Sequence, residues 1–234
     1  MVKTTAEIEL LQSAGIATEK AIQTGFALAR PGDTGRSVAD SIGSAIVKLG
    51  ADSAASLVVE VGGKRLEHEY LEAPAELKEG DPVRFDGGGY FAGYYSDVAR
   101  MAVVGEPSAE QRSLYERLVG VERRVINEIM KPGRSGRELL QLTSKVCEEF
   151  KLKPNPSNIA HGLGLFIHER PWLREAETYE LEPGMVLCVE IIKDYDDPPF
   201  EDQMWQVEDL IVITEEGARK LTTYSSTDEL FVIE

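Results

Sequence analysis

At 234 residues the chain is long enough for one large domain or two small ones, and either could bury a substantial core. Its 42% hydrophobic and 28% charged composition is that of an ordinary globular protein. A formal charge of −16 argues against nucleic acid or an anionic membrane as partner, because both attract positive surface.

The start, Met1-Val2-Lys3-Thr4-Thr5-Ala6-Glu7, lacks the apolar core of a signal peptide, and no run approaches the ~20 apolar residues of a membrane span. A cytoplasmic enzyme or binding protein is the expected class. Thr4-x-x-Glu7 is a capping-box signature, predicting a helix that carries Ile8, Leu11, Ala14 and Ala21 towards Ala29. Pro31-Gly32 stops it, and a second helix is expected from about Ser37 to Leu49, ended by Gly50. Ser56 to Val61 reads as a strand stopped by Gly62-Gly63. His68-Glu69-Tyr70 and a loop follow, then a strand Pro82-Val83-Arg84-Phe85-Asp86. Gly87-Gly88-Gly89 leads into Tyr90 to Tyr95, and Ser96 to Val104 reads as a further strand.

After Gly105 the order restarts. Ser108-x-x-Gln111 opens a long helix to about Met130, Pro132-Gly133 stops it, and a helix from about Arg137 to Phe150 follows. Then come a stretch holding His161 and His168, a strand to Glu190, an acidic loop, and a last strand from about Val207 to Thr214. Cys147 and Cys188 sit in apolar patterns and are expected as core thiols; two scattered cysteines make neither a disulfide framework nor a Cys-ligated metal site.

The two halves follow one plan. Arg30-Pro31-Gly32-Asp33-Thr34-Gly35-Arg36 matches Lys131-Pro132-Gly133-Arg134-Ser135-Gly136-Arg137, and His68-Glu69 matches His168-Glu169. Leu77 to Asp86 matches Leu181 to Glu190, and Asp97-Val98-Ala99-Arg100 stands opposite Glu208-Asp209-Leu210-Ile211. Two helix–helix–strand units, about 5–105 and 108–217, are expected to pack as a single domain over 1–234 about a pseudo-twofold axis. Their strands would form a joint sheet covered by helices.

The duplication groups the polar residues. Each copy ends a strand on an acid, Asp86 or Glu190, and is expected to carry a second acid in its next strand, Asp97 or Glu208. Carboxylates brought together in a covered sheet repel one another and cost several kcal/mol when unpaired, a conflict that divalent cations resolve. Four carboxylates with an imidazole suit two hard or borderline cations.

Asp86, Asp97, His161, Glu190 and Glu208 resemble the five metal ligands of the pita-bread metallopeptidases, which include methionine aminopeptidase, aminopeptidase P and prolidase. The resemblance covers nearly the whole chain. It includes Tyr94-x-Ser96-Asp97-x-x-Arg100, His161-Gly-x-Gly-x-x-x-His168-Glu169-x-Pro171, Glu182-Pro183-Gly184-Met185 and Val207-Glu208-Asp209. It implies an α+β pita-bread fold with a curved antiparallel sheet. It also implies two divalent ions of manganese, cobalt, iron or zinc, and a hydrolase acting on a small peptide or amide, with a homodimer as the suggested assembly. Asp86 would hold one metal, His161 and Glu190 the other, and Asp97 and Glu208 would bridge both. A hydroxide between the metals would attack the scissile carbonyl. Glu190 would shuttle the proton to the leaving amine. His168 would donate to the carbonyl oxygen or the tetrahedral centre, and His68 would contact the substrate backbone or leaving nitrogen.

Two positions depart from the prolidase pattern. Ser157 stands where those enzymes usually carry another histidine, and Gln206 stands where they usually carry an arginine; at 206 the chain is closer to methionine aminopeptidases. Many proline-directed relatives also have an additional N-terminal domain, so either a short form or a trimmed one is expected. The loop Asp194 to Asp202 is expected to form an acidic rim for a substrate ammonium, with Phe200 or Trp205 as a pocket wall. The leading expectation is an exopeptidase that cleaves the N-terminal or Xaa-Pro bond. The alternatives are a methionine aminopeptidase, a hydrolase of a small non-peptide amide, and a pita-bread binding module without catalysis.

Overall fold

A computed structural model describes residues 1–63, 76–154, 159–225 and 227–234. Helix α1 (Thr5–Leu28) begins where the capping box requires: the Glu7 N–H donates to the Thr4 hydroxyl and the Thr4 N–H to the Glu7 carboxylate. Its buried stripe includes Leu11, Ala14, Ile22 and Phe26, and it packs on α2 (Gly35–Lys48), which is capped by Thr34. Strands β1 (Ser53–Val61), β2 (Pro82–Phe91), β3 (Tyr94–Tyr95) and β4 (Val98–Val104) complete the first half.

The second half opens with α3 (Ala109–Arg124), closed at its N-terminus by the predicted Ser108–Gln111 box. The expected single helix to Met130 changes character on the way. Its last part, Val125–Ile129, is a π-helical turn, with the Met130 N–H donating to the Val125 carbonyl. Val125, Ile126 and Ile129 are all buried there. Then follow α4 (Gly136–Glu149), β5 (Ala160–Gly162), β6 (Glu169–Trp172), β7 (Val186–Lys193), β8 (Trp205–Thr214), β9 (Gly217–Lys220) and β10 (Phe231–Ile233). Neither β9 nor β10 is anticipated by the sequence reading; at four and three residues they are too short to show an alternation.

The described strands form one sheet in the order β1-β2-β4-β8-β7-β5-β6. β3 pairs with β2, β9 with β8, and β10 lies parallel to β4 in an otherwise antiparallel arrangement. The two halves join where β4 meets β8, through the pair Ala99↔Glu208. In each half the turn after the first helix is tied to the segment that leads into an acid-bearing strand. Gly32 N–H donates to the Leu77 carbonyl at 2.8 Å and Leu77 N–H to the Asp33 carbonyl at 2.7 Å. Gly133 N–H likewise donates to Leu181 at 2.8 Å, and Leu181 N–H to Arg134 at 2.9 Å.

The core divides by half. Ile22, Phe26, Ile42 and Ile46 pack on Val83 and Phe85, while Leu114, Leu118, Val121 and Leu139 pack with Leu187, Val189, Val207 and Ile211. Alternation along β8 separates its faces: Trp205, Val207, Ile211 and Ile213 belong to the second of these cores, and Gln206 and Glu208 project the other way.

Candidate metal centre

Register aligns the acids. Asp86 pairs with Ala99, Ala99 with Glu208, and Glu208 with Glu190, so three carboxylates lie in one row across β2, β4, β8 and β7. Cross-strand partners share a face, which brings the row together although its members are far apart in sequence. Asp86 is followed by Gly87, whose φ is +139° and where a Cβ would lie 1.5 Å from the Ser56 carbonyl oxygen. Only glycine admits that approach of β1, which is bulged between Ala55 and Val58. Asp97 lies between β3 and β4, next to Ser96, whose hydroxyl accepts from Gly89 N–H at 2.9 Å and meets the Thr18 hydroxyl at 2.7 Å. His161 sits on β5 opposite Cys188, and Gly162 beside it allows the Arg170 carbonyl oxygen within 2.4 Å of where a Cβ would be.

The resulting cluster is tight. His161 Nε2 lies 3.7 Å from Glu208 Oε1 and 3.9 Å from both Asp97 Oδ2 and Glu190 Oε1. Asp97, His161, Glu190 and Glu208 are all buried. Asp97 Oδ1 and Glu208 Oε2 have no hydrogen-bond partner among the described residues. Burial, then the Glu208 charge, pushes the Asp97 carboxyl well above its usual range. Burial, then Asp86 and Glu190, does the same to Glu208. Glu190 is raised to about 7, chiefly by burial and by Asp86, against the opposing pull of His161 and Arg84. Buried carboxylate oxygens without donors, beside an imidazole nitrogen, are a donor set that fits divalent cations.

Two groups at the site go beyond the sequence expectation. Cys188 is a core thiol, packed with Val186, Leu210 and Val212, yet its sulfur, an Asp97 oxygen, a Glu208 oxygen and a His161 nitrogen all lie within 4.8 Å of one another. The cysteine scattering that argued against a thiol at a metal site is overcome by β5–β7 pairing, which sets residue 188 opposite residue 161. The second group is Arg84. It donates from Nε to Glu60 Oε2 at 2.8 Å and from Nη1 to Asp86 Oδ2 at 2.9 Å and Gln206 Oε1 at 2.6 Å. The signal was present in the sequence: residues 84 and 86 of one strand share a face.

Beneath the row, Arg100 donates to the Glu208 backbone carbonyl at 2.6 Å and pairs with Asp209 at 2.7 Å and Glu19 at 2.9 Å, all three side chains being fully buried or nearly so. Opposing its burial, Arg100 and Lys220 hold the Asp209 carboxyl below its usual range. This network fixes the backbone that carries Glu208.

The remaining expected site residues are placed as follows. The exposed His168 ring lies 4.5 Å from the His161 ring, edge-on, and 5.7 Å from Trp172. His68 and Ser157 lie outside the described residues. Trp205 is fully buried in the helix-side core and stacks on Phe200 at 5.9 Å, so it does not wall a pocket. Its odd position in β8 turns it away from the face of Glu208. In the acidic loop, Asp197 is buried and pairs with Lys153 at 2.9 Å, and Asp196 is exposed.

The profile of metallopeptidase family M24 matches residues 9–215. An Xaa-Pro dipeptidase of Pyrococcus furiosus is 30% identical over 228 residues, covering 95% of this chain and 63% of that protein. Among solved structures, an Xaa-Pro dipeptidase from Bacillus anthracis superposes with a TM-score of 0.87 at 30% identity, covering 99% of this chain and 64% of that one. An X-Pro aminopeptidase from Thermotoga maritima superposes with a TM-score of 0.88 at 25% identity, over 100% of this chain and 65% of that one. The chain thus spans somewhat under two thirds of the length of these relatives. The likeness establishes the α+β pita-bread architecture, a curled antiparallel sheet with helices packed on it. No described helix is long and apolar enough to cross a membrane.

Proposed function

The chain belongs to metallopeptidase family M24, and on that premise we propose that it is a dinuclear-metal exopeptidase cleaving the bond before proline in short peptides. The observation that carries this reading is the buried carboxyl cluster around His161, in which Asp97 Oδ1 and Glu208 Oε2 have no hydrogen-bond partner among the described residues. Asp86, Asp97, His161, Glu190 and Glu208 would hold the ions. Bound there, the cations supply Lewis acidity that activates water near neutral pH and polarises the scissile carbonyl.

The chain's own groups do the rest. Glu190, with its pKa raised to about 7, is suited to take a proton from water and return it to the leaving amine. His168, exposed beside His161, would donate to the carbonyl oxygen as charge develops. His68 would contact the substrate backbone. We assign the whole of 1–234 to one catalytic domain of two like halves, supported by the recurrent Gly32–Leu77 and Gly133–Leu181 hydrogen bonds. The Xaa-Pro specificity is supported by the names of the relatives.

Stripped protein reloaded with Mn²⁺ or Co²⁺ should hydrolyse Xaa-Pro dipeptides in preference to Met-Ala peptides and non-peptide amides. Glu190→Ala should lower kcat by roughly 10²–10⁴-fold. Reloaded protein that binds no divalent ion, or an unchanged Glu190→Ala turnover, refutes the proposal. At the rim, exposed Asp196 is the candidate for reading the free amine, since Asp197 is engaged by Lys153. Asp196→Asn should raise KM for a free dipeptide and leave KM for its N-acetylated form unmoved; equal effects on both would rule the contact out.

A further inference from the structure

Asp86 and Glu190 come from different halves of the chain, and each has one carboxylate oxygen held by a donor that is not a metal. Arg84 Nη1 holds Asp86 Oδ2 at 2.9 Å. Gln206 Nε2 holds Glu190 Oε2 at 3.1 Å. The two holds are one device, because the same Arg84 Nη1 donates to Gln206 Oε1 at 2.6 Å. A guanidinium has no acceptor, so Gln206 must turn its oxygen to Arg84, and this aims its NH₂ at Glu190. The orientation of Glu190 is thereby set from β2, two strands beyond its own neighbour β8 in the sheet order.

The charge balance fits a positioning role. Arg84 is 7% exposed and Glu60 5%, and they pair through Nε at 2.8 Å; the other Glu60 oxygen accepts from the Tyr195 hydroxyl. Glu60 offsets the guanidinium, so the positive charge need not compete with cations for the carboxylate row. One oxygen of Asp86 and one of Glu190 are tied, which leaves the second oxygen of each for a cation; for Glu190 that second oxygen, Oε1, is the one 3.9 Å from His161 Nε2. Donors behind ligands commonly orient them in this way.

We propose that Arg84 is a positioning residue that orients Asp86 directly and Glu190 through Gln206, coupling the ligands of the two halves. The assignment rests on the reading that Asp86 and Glu190 hold metal ions. Calorimetric Mn²⁺ titration and steady-state kinetics on an Xaa-Pro dipeptide test it, with four proteins: wild type, Gln206→Leu, Arg84→Gln, and the exchange variant Arg84→Gln/Gln206→Arg.

Gln206→Leu removes the bridge and keeps the Arg84–Glu60 and Arg84–Asp86 pairs, so it decides the matter even if Arg84→Gln fails to fold. It should weaken binding of one Mn²⁺ and lower kcat, each by about 10–100-fold, with KM changed less than about threefold. Arg84→Gln should weaken both ions' binding, and the exchange variant, with its guanidinium returned from β8, should recover at least about tenfold of the loss. Wild-type Mn²⁺ affinity and kcat in Gln206→Leu, or loss in Arg84→Gln with no recovery in the exchange variant, overturns the positioning role. A wild type that binds no Mn²⁺ overturns the reading beneath it, and is told apart because it requires no variant.

Discussion

Asp97 Oδ1 and Glu208 Oε2 are buried carboxylate oxygens without a donor among the described residues, a condition that costs stability unless a cation is present. Removing one charge should therefore help the metal-free fold while harming the site. Asp97→Asn is expected to raise the stability of EDTA-treated protein by on the order of 1 kcal/mol, and to abolish stoichiometric Mn²⁺ binding. Denaturant melts with and without Mn²⁺ check both, and an apo protein destabilised by the change would contradict the reading. At this scale much was legible: matching the two halves singled out Asp86, Asp97, Glu190 and Glu208, and an odd histidine, His161, without a counterpart. Arg84 was hidden because an arginine in a strand is ordinarily read as solvated. Trp205 was misread because its loop-edge position hid the parity that sends it to the core.

At the scale of elements, strand register does what no single residue can. The row Asp86–Ala99–Glu208–Glu190 survives only if β1, β2, β4, β8 and β7 keep their pairing. Gly87 is the weak point, since β1 crosses over it too closely for a Cβ. Gly87→Ala should cost at least about 1 kcal/mol, and should reduce Mn²⁺ affinity as well, because Asp86 is its neighbour. Ser108→Ala, which removes the α3 cap far from the row in sequence, should cost about 1 kcal/mol and leave kcat unchanged. Urea unfolding beside kinetics separates the two; equal kinetic effects would mean that the strand argument is wrong. Helix starts were legible because capping is a contact over three residues, as at Thr4–Glu7 and Ser108–Gln111. The short β9 and β10 were not, because their pairing partners, not their own patterns, make them strands.

For the molecule as a whole, the carboxylate row links stability to pH and to metal. Asp97, Glu190 and Glu208 all have raised pKa values in the metal-free fold, Glu190 moving from 4.5 to about 7. The folded state then keeps protons that the unfolded chain releases, so metal-free stability is favoured below the unfolded value and declines as pH rises from about 4.5 towards 7. Cations should cancel that decline. The stabilisation gained on adding Mn²⁺ is expected to be larger at pH 7.5 than at pH 5, and parallel curves with and without metal would exclude this linkage.

The chain by itself determined its helices, its main strands and the acids and histidines available for a site. All of these rest on local chemistry or on periodicity within one segment. Which acids meet, which oxygens are left without donors, why Cys188 lies at the cluster, and how Arg84 reaches Glu190 through Gln206 were decided only by the tertiary structure. Those relations depend on the register between strands, reaching as far along the chain as the 122 residues from Arg84 to Gln206, which no local pattern carries; in the pair Ala99↔Glu208 the two halves meet and the buried charge of both must be balanced at once.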